Sequence, residues 1–326
     1  MATNKVVYGA TTLIDLTGDT VTADTLASGY MAHGADGNQI IGTMEASASA
    51  AFMAATMPSS ANWYAVCCGN GIFVAVTNNS SKAAYSTDGI NWTETVFPEG
   101  NCYAVCYGNG IFVAVGGWNL FTSSDGINWT RNDVDYNYKC ICYGNGMFVA
   151  MANGTVSCSH DAVNWTHTSL TGNWRSVCFG EGKFVAVAGA ASNVAAYSLD
   201  GANWVSTTLS NADSHCIVMY GKGVFVTISV YGRISYSADG ITWVDAPSSV
   251  KSTTYYAGCY GNGIFTLFAY NSNYCYYSSD GINWTRIKYP NPTAFKMSAC
   301  FGNGKFIVVA TNNSLAACCD VTVPIS

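Results

Sequence analysis

A Gly-x-Gly tripeptide recurs seven times along the 326-residue chain, at spacings of 36 to 41 residues. In the second copy, the apolar run Tyr103–Tyr107 precedes the tripeptide and Ile111–Val115 follows it. Two β-rich runs around a tight glycine turn predict a hairpin, and a repeat of this length predicts stacked supersecondary units. The seven copies are Gly69–Gly71, Gly108–Gly110, Gly144–Gly146, Gly180–Gly182, Gly221–Gly223, Gly261–Gly263 and Gly302–Gly304.

A second signature, Ser-x-Asp-(Gly/Ala)-x-x-Trp, follows the hairpin in six copies. Its Asp can accept local backbone N–H bonds, and its Trp can pack beneath the turn. The six copies are Ser86–Trp92, Ser123–Trp129, Ser159–Trp165, Ser198–Trp204, Ser237–Trp243 and Ser278–Trp284. The last unit keeps Asp320 but lacks the Trp, as terminal repeats often do. Four strands in about 40 residues predict an all-β, seven-bladed β-propeller of four-stranded antiparallel blades over residues 58–326.

The Ser-x-Asp-Gly-x-x-Trp turn resembles the Asp-box of sialidases and related propeller proteins. That resemblance implies a structural turn between the third and fourth strands of each blade. Because enzymes and non-enzymes share the Asp-box, it does not indicate an activity.

Residues 1–57 do not match the repeat and are predicted to form a small β-rich module with a linker. The segment Gly29–Met44 contains an aromatic residue and then Ala-His, which are followed by a Gly-rich turn and by Ile-x-Gly-Thr-Met. It resembles a segment of phage and prophage tail and tail-fibre proteins. The resemblance implies residence in a virion tail or tail-like particle, attachment to other tail proteins through residues 1–57, and a homotrimer. Residues Met1–Lys5 lack the apolar core of a signal peptide, so synthesis in the bacterial cytoplasm is expected. An ordinary small β-module is the alternative.

Charge and cysteine placement exclude several function classes. A net charge of −6 with 13 Lys and Arg residues gives no basic surface for nucleic acid. No apolar run approaches the roughly 18 residues of a membrane span, so no membrane insertion is expected. Six of the 14 cysteines occupy one repeat slot, two residues before the Gly-x-Gly turn, where Met219 stands in the fifth copy. A shared slot favours buried thiols over a disulfide framework or a metal site, and no cofactor is expected.

Strand alternation places the Gly-x-Gly and Asp turns at one face of the ring and the non-repeated loops and crossovers at the other. The non-repeated segments are rich in Tyr, Asn and Trp, which suit protein and sugar recognition. We therefore expect ligand contacts from Trp118, Asn119, Tyr136, Tyr138, Trp174, Arg175, His215, Tyr231, Arg233, Tyr255, Tyr256, Tyr270, Asn271, Asn273 and Tyr274.

A non-enzymatic, tail-associated receptor-binding protein that recognises a host surface glycan or protein is the favoured function. A structural or assembly protein of the tail, a bacterial lectin-like module and a glycan-cleaving Asp-box enzyme are the alternatives. Glycoside cleavage normally needs two carboxylates about 5 to 9.5 Å apart, and no loop carboxylates are paired in sequence. Asp133, Asp135 and Asn137 resemble the start of a calcium loop, but Tyr138 stands where that loop needs Gly.

Overall fold

The computed structural model describes residues 5–8, 11–15, 31–33, 39–41, 51–190, 192–247, 250, 254–270, 272, 274–288, 295–311 and 313–320. The chain divides into two compact units, one of Met1–Ala51 with Val321–Ser326 and one of Phe52–Asp320. This division falls at residue 51, six residues before the expected boundary at residue 57. Within the described residues, no helix is long and apolar enough to span a membrane.

The first unit contains two short antiparallel hairpins. Strand β1 (Lys5–Tyr8) pairs with β2 (Thr11–Asp15), and β3 (Met31–His33) pairs with β4 (Gln39–Ile41). The predicted tail-like segment Gly29–Met44 is described only at these last two strands.

The second unit is built from antiparallel sheets whose strands follow one another in chain order. After β5 (Ala51–Ala61), the first copy of the repeat forms β6 (Trp63–Gly69), β7 (Ile72–Thr77), β8 (Lys82–Ser86) and β9 (Thr93–Val96). The next two copies form β10 (Ala104–Gly108), β11 (Ile111–Ser123), β12 (Thr130–Gly144), β13 (Met147–Ala152), β14 (Thr155–Ser159) and β15 (Thr166–Ser169).

The remaining copies have the same four-strand pattern until the chain ends. The fourth copy forms β16 (Trp174–Gly180), β17 (Lys183–Ala188), β18 (Val194–Ser198) and β19 (Val205–Thr208). The fifth and sixth copies form β20 (His215–Gly221), β21 (Val224–Ser229), β22 (Ile234–Ser237), β23 (Val244–Asp245), β24 (Tyr255–Gly261), β25 (Ile264–Ala269), β26 (Tyr274–Ser278) and β27 (Thr285–Lys288). The last copy contributes β28 (Phe295–Gly302), β29 (Lys305–Thr311) and β30 (Asn313–Asp320).

The all-β prediction is confirmed, but the prediction of seven four-stranded blades is wrong. The described chain has five four-stranded blades, and the second and third copies share one six-stranded sheet, β10 to β15. The joining strands β11 and β12 span 13 and 15 residues. Residues 130–140, where β12 passes from one copy to the next, contain no Gly or Pro that would interrupt a strand. The crossover between these copies is therefore strand, not loop.

The ring closes through a strand from before the first repeat. In the last sheet the order is β28-β29-β30-β5, so Ala51–Ala61 takes the fourth-strand position that the C-terminal copy does not supply. The first strands of successive copies contact one another in a closed circle, from β6 through β10, β12, β16, β20, β24 and β28 back to β6. Across the closure, Ser298 Oγ accepts a bond from the Val66 amide at 3.2 Å.

The Gly-x-Gly turns serve both the hairpin and the packing between copies. Asn109 and Gly110 have φ values of 48° and 78°, the pattern of a type I′ hairpin turn. The first glycine has a different role, because a Cβ on Gly108 would lie 2.0 Å from the ring of Tyr143. The same close approach relates Gly144 to Phe179 in the next copy. Each first glycine thus provides space for a side chain of the following copy.

The Asp turns are held by a repeated set of side-chain hydrogen bonds. Asp88 Oδ1 accepts bonds from the Ile90 and Asn91 amides at 2.8 Å, and Trp92 Nε1 donates to the Gly89 carbonyl at 3.1 Å. The bonds from Asn91 contribute most to holding the pKa of the Asp88 carboxyl well below its usual value. These contacts are local, so the turn stabilises itself.

Two glycines of the second copy allow backbone strain and packing to be separated. Gly110 and Gly126 both have positive φ, 78° and 73°, but a Cβ at Gly126 would lie 2.6 Å from Val74 Cγ2, whereas at Gly110 it would meet nothing within 4 Å. We expect Gly110→Ala to cost about 1–2 kcal/mol from the left-handed backbone alone. Gly126→Ala should cost a further ~1–3 kcal/mol from overpacking. Urea unfolding measures both, and equal losses would contradict this packing of adjacent copies.

Candidate functional site

The first strands of the copies, which form the closed circle and which we call the innermost strands, share a local irregularity near their first residues. The register with the second strand shifts by one residue between Trp63 and Ala65, and again between Tyr138 and Cys140. Such a shift is a β-bulge, in which one residue is left out of the ladder and its side chain is redirected. The fourth to seventh copies have the same bulge.

The residues at these bulges line one cavity of about 180 Å³. Tyr103, which lies immediately before β10, takes the equivalent place in the second copy, with its amide donating to the Val115 carbonyl at 2.8 Å. We call the seven residues the bulge ring and the cavity the central cup. The bulge ring consists of Tyr64, Tyr103, Lys139, Arg175, Cys216, Tyr256 and Met297.

Every member of the bulge ring stands three residues before the repeat slot that holds Cys in six copies and Met in one. Tyr64 precedes Cys67 by three, for example, and Cys216 precedes Met219 by three. The slot residue is nearly constant because it packs between copies; Cys67 lies in a core cluster with Val74 and Phe112. One backbone position thus presents seven side chains, of five residue types, to one cavity.

The central cup is basic and aromatic. Lys139 Nζ lies 4.6 Å from the centre of the Tyr103 ring, and the Arg175 guanidinium carbon lies 5.3 Å from the centre of the Tyr256 ring. Both are cation–π distances. Among the residues that the structure describes, the cup lining contains no carboxylate, and neither cation forms a salt bridge.

The titratable groups in the cup shift one another's pKa values. Burial lowers the pKa of the Lys139 ammonium, and the positive charge of Arg175 lowers it further. Burial likewise raises the pKa of the Tyr64 hydroxyl, with Tyr103 and Tyr256 adding to the rise and Arg175 opposing it. Two like charges held together at a concave, partly desolvated surface favour an anionic ligand.

A second cavity of about 200 Å³ adjoins the first and shares Arg175, Cys216 and Tyr256 with it. Buried His215 borders this cavity, with Nδ1 3.1 Å from Thr227 Oγ1 and Nε2 3.1 Å from Asn211 Oδ1. Burial lowers the pKa of His215 to about 4, against smaller opposing effects of Asp213 and Asp245. Both ring nitrogens therefore have polar partners within the protein.

The predicted site residues that the structure describes fall into four groups. Arg175, Tyr256 and Tyr270 come together at the cup, where the rings of Tyr256 and Tyr270 are perpendicular with centroids 5.3 Å apart. Trp118 and Tyr231 are exposed by 60% and 64% but line neither cavity. Buried side chains form the third group, namely Asn119, Tyr138, Trp174, His215 and Tyr255.

The buried group has internal partners. Trp174 Nε1 donates to the Leu170 carbonyl at 3.0 Å, and Tyr138 donates from its hydroxyl to Ser157 Oγ at 2.8 Å. Asn119 Nδ2 donates to the Gly116 carbonyl at 3.4 Å, while Tyr255 lies in the core between the fifth and sixth copies. These side chains support the backbone from which the bulge residues project.

The other predicted residues lie apart from the cup. Tyr136 packs on the His167 ring, Arg233 pairs with Asp213 at 3.5 Å, and Tyr274 lies beside Arg286, whose guanidinium carbon is 4.4 Å from its ring centre. Asn271 and Asn273 lie outside the described residues.

Sequence reasoning missed five members of the bulge ring, although the repeat register contained the signal. The missed residues are Tyr64, Tyr103, Lys139, Cys216 and Met297. They share a position relative to the Cys slot rather than a residue type, so a search for aromatic loops passed over them. Aligning the seven copies on that slot would have placed them in one ring.

The acidic and cysteine side chains of the described residues form neither a metal site nor a disulfide. Within the described part of the chain, no group of three His, Cys, Asp or Glu side chains is placed to hold a metal ion. Asp133 lies in strand β12, where it accepts a bond from Arg131 Nη2 at 2.8 Å. The twelve cysteines whose side chains are described are free and are buried or half-buried. Burial raises the pKa of the Cys259 thiol in the repeat slot to about 12, which favours its protonated form.

No protein-family model and no curated protein matches the sequence. Solved structures do match. A streptogramin B lyase is 11% identical, with a TM-score of 0.74 over 84% of this chain and 99% of that one. YCF48 from Cyanidioschyzon merolae is 13% identical, with a TM-score of 0.66 over 83% and 99%, and the WD40 propeller domain of Doa1 is 15% identical, with a TM-score of 0.64 over 83% and 97%.

These likenesses show the β-propeller fold. The similar proteins include an enzyme, the lyase, and two propeller proteins whose names do not indicate an enzyme. At identities of 15% or less, they carry no residue or activity to this chain.

The buried histidine gives a pH test of the site's support. Because the folded pKa of His215 is about 4 and the unfolded value is about 6.5, the unfolded chain binds more protons between these values. This contribution to stability is complete above pH 6.5 and is lost as the pH falls toward 4, by about 3 kcal/mol at ~1.4 kcal/mol per pKa unit. Urea unfolding should give His215→Gln a lower free energy of unfolding than the unaltered chain at pH 7. Between pH 6.5 and 4.5, the free energy of unfolding of this variant should fall by less than that of the unaltered chain. Equal losses in both chains would show that His215 is not held neutral.

Proposed function

We propose that this chain is a non-enzymatic, tail-associated receptor-binding protein of a phage or prophage, which recognises a host surface glycan or protein at the face of its propeller that holds the central cup. The observation that carries the proposal is the bulge ring. Seven equivalent backbone positions present Tyr, Lys, Arg, Cys and Met side chains to one cavity, while the Gly-x-Gly and Asp turns repeat almost unchanged. Side chains that differ around one cavity of a repeated scaffold are the arrangement of a binding site.

The composition of the cup supports binding over catalysis. A general acid or base pair for glycan cleavage needs two carboxylates near the scissile bond, and the described cup lining has none. The aromatic rings and two cations instead offer flat contact area and charge-assisted hydrogen bonds. Both ring nitrogens of the adjoining His215 have partners. The likeness to the lyase supports the fold alone.

Exposed aromatics extend the proposed surface beyond the cup. Trp118 lies within β11, next to Gly117, which pairs with Tyr138 beside Lys139 of the bulge ring. Tyr231 lies between β21 and β22, and β21 runs away from its Gly-x-Gly turn, so Tyr231 is opposite that turn. Large exposed aromatic side chains are the residue types that anchor protein interfaces. Residues 1–57 are proposed to attach the propeller to other tail proteins, on the resemblance of Gly29–Met44 alone.

The test is binding of the fluorescently labelled full chain to a panel of bacterial strains, read by flow cytometry. Trp118→Ala and Tyr231→Ala should each leave the free energy of unfolding within about 0.5 kcal/mol, because both side chains are exposed. On a strain that the unaltered chain binds, at least one of these two variants should bind about 30-fold more weakly, or ~2 kcal/mol, because large aromatic side chains often anchor interfaces.

Leu199→Ala is the matched control, since Leu199 is 64% exposed and lies in an Asp turn. The proposal expects this variant to bind as the unaltered chain does. Full binding by both aromatic variants together with loss in Leu199→Ala would place the binding surface on the opposite face. Failure of the unaltered chain to bind any strain of a panel that includes Gram-positive and gut bacteria would contradict receptor binding.

A further inference from the structure

The two cations of the central cup lack the partners that basic side chains in a concave site usually have. Lys139 Nζ donates to Asn137 Oδ1 at 2.8 Å, which orients the ammonium but does not neutralise it. Arg175 touches the Tyr256 ring and, among the described residues, has no carboxylate within ion-pair distance. Elsewhere Lys82, Arg131 and Arg233 form ion pairs, whereas Lys183 and Lys222 lie apart from the cup and donate to backbone carbonyls.

In the part of the chain that the structure describes, Lys139 and Arg175 lie together without an acidic partner, although the chain as a whole is acidic. With a net charge of −6, acidic residues outnumber basic ones by 19 to 13. Lys139 and Arg175 stand on bulges of adjacent copies, close enough for the charge of Arg175 to lower the pKa of Lys139. Their repulsion is a cost in the free protein that a bound anion removes.

The shape of the cup narrows the ligand class. A cavity of about 180 Å³ can admit a small group or a chain end, whereas a flat protein surface could not reach its floor. Its walls add the rings and hydroxyls of Tyr64, Tyr103 and Tyr256, the first two with centroids 5.7 Å apart. Tyrosines provide an apolar face and a polar tip together, which suits a ligand that carries both C–H faces and hydroxyls.

We infer that the central cup binds an anionic sugar residue, with Lys139 and Arg175 holding its acidic group and the surrounding tyrosines contacting its ring. This inference rests on the proposed binding function and names its ligand class. The acidic group is a carboxylate or a phosphate, since both accept charge-assisted bonds from Lys and Arg. The guanidinium can donate two parallel bonds to either group, while the ammonium supplies a point charge.

The experiment titrates the full chain with small probes by ligand-observed NMR. The probes are glucuronic acid and N-acetylneuraminic acid for carboxylates, glucose 6-phosphate for phosphate, and glucose, acetate and inorganic phosphate as controls. The inference expects acidic sugars to bind and glucose to bind at least about tenfold more weakly. Affinity should also fall as salt is raised from 20 to 300 mM, since exposed charge interactions are screened. The carboxylate and phosphate arms then identify the acidic group.

The variants are Lys139→Gln and Arg175→Gln, with Lys222→Gln as the matched control. Lys222 lies in a Gly-x-Gly turn, where its ammonium donates to the Ser279 carbonyl at 3.3 Å, so its replacement removes the same charge at the opposite face. Each cup variant should weaken the acidic-sugar probe at least about tenfold, and Lys222→Gln should leave it within about twofold. Equal binding by all four chains, or binding of acetate and inorganic phosphate as tight as the acidic sugars, would overturn the inference.

The bacterial binding assay separates this inference from the function on which it rests. If the unaltered chain binds cells while no acidic sugar binds, and both cup variants still bind those cells fully, the anionic ligand is wrong and receptor binding stands. If acidic sugars bind the cup and no strain is bound, the sugar site stands and the receptor role fails.

Discussion

The close approach of a side chain to a glycine backbone is the contact on which the ring depends. The residue before each first glycine lies against the first glycine of the preceding copy, as Tyr220 does on Gly180 and Phe301 on Gly261. At the closure Cys68 takes this place against Gly302, so the contact runs through every copy without a break. The aromatic rings are half-buried in these contacts, and any Cβ at the glycine would displace the ring.

This contact fixes the spacing of the innermost strands and thereby the site. Because each first strand is held against the next at its glycine end, its other end can carry a bulge without losing its place in the circle. The bulge then redirects one residue per copy into the central cup. Buried residues just before the bulge, such as Trp63 and Trp174, hold this end through indole bonds to carbonyls four residues earlier. On each innermost strand, the residue that lines the cup thus lies only a few positions from the glycine that packs against the next copy.

Local chemistry explains how far the sequence could predict this structure. Type I′ turns need positive φ at two positions, which Asn109 and Gly110 supply, so the hairpins were visible in the repeat. Asp turns were equally visible, because their bonds lie within a few residues. The shared sheet of the second and third copies depends on the absence of any strand breaker over residues 130–140, which a repeat-based prediction does not weigh.

Features that depend on contacts between distant parts of the chain could not be predicted from the repeat. Strand Ala51–Ala61 pairs with the C-terminal copy across nearly the whole sequence, and it lacks the Asp turn that marks other fourth strands. The bulge ring was missed for the opposite reason, since its position is constant but its side chains differ. All three of Lys139, Arg175 and Tyr256 lie in strands. Arg175 and Tyr256 were identified because they belong to polar and aromatic crossover segments in the sequence, whereas Lys139 directly follows the segment 133–138 and was not.

A saturation library at the first glycines and at the bulge ring, sorted for abundance of folded protein, would show whether the ring depends on the glycine contacts and not on the cup. The first glycines are Gly69, Gly108, Gly144, Gly180, Gly221, Gly261 and Gly302. We predict that these positions tolerate almost no replacement, whereas bulge positions other than buried Cys216 accept most polar and aromatic residues. Loss of folded protein as severe at Tyr64, Lys139 and Arg175 as at the glycines would contradict this prediction, because the cup would then be part of the core.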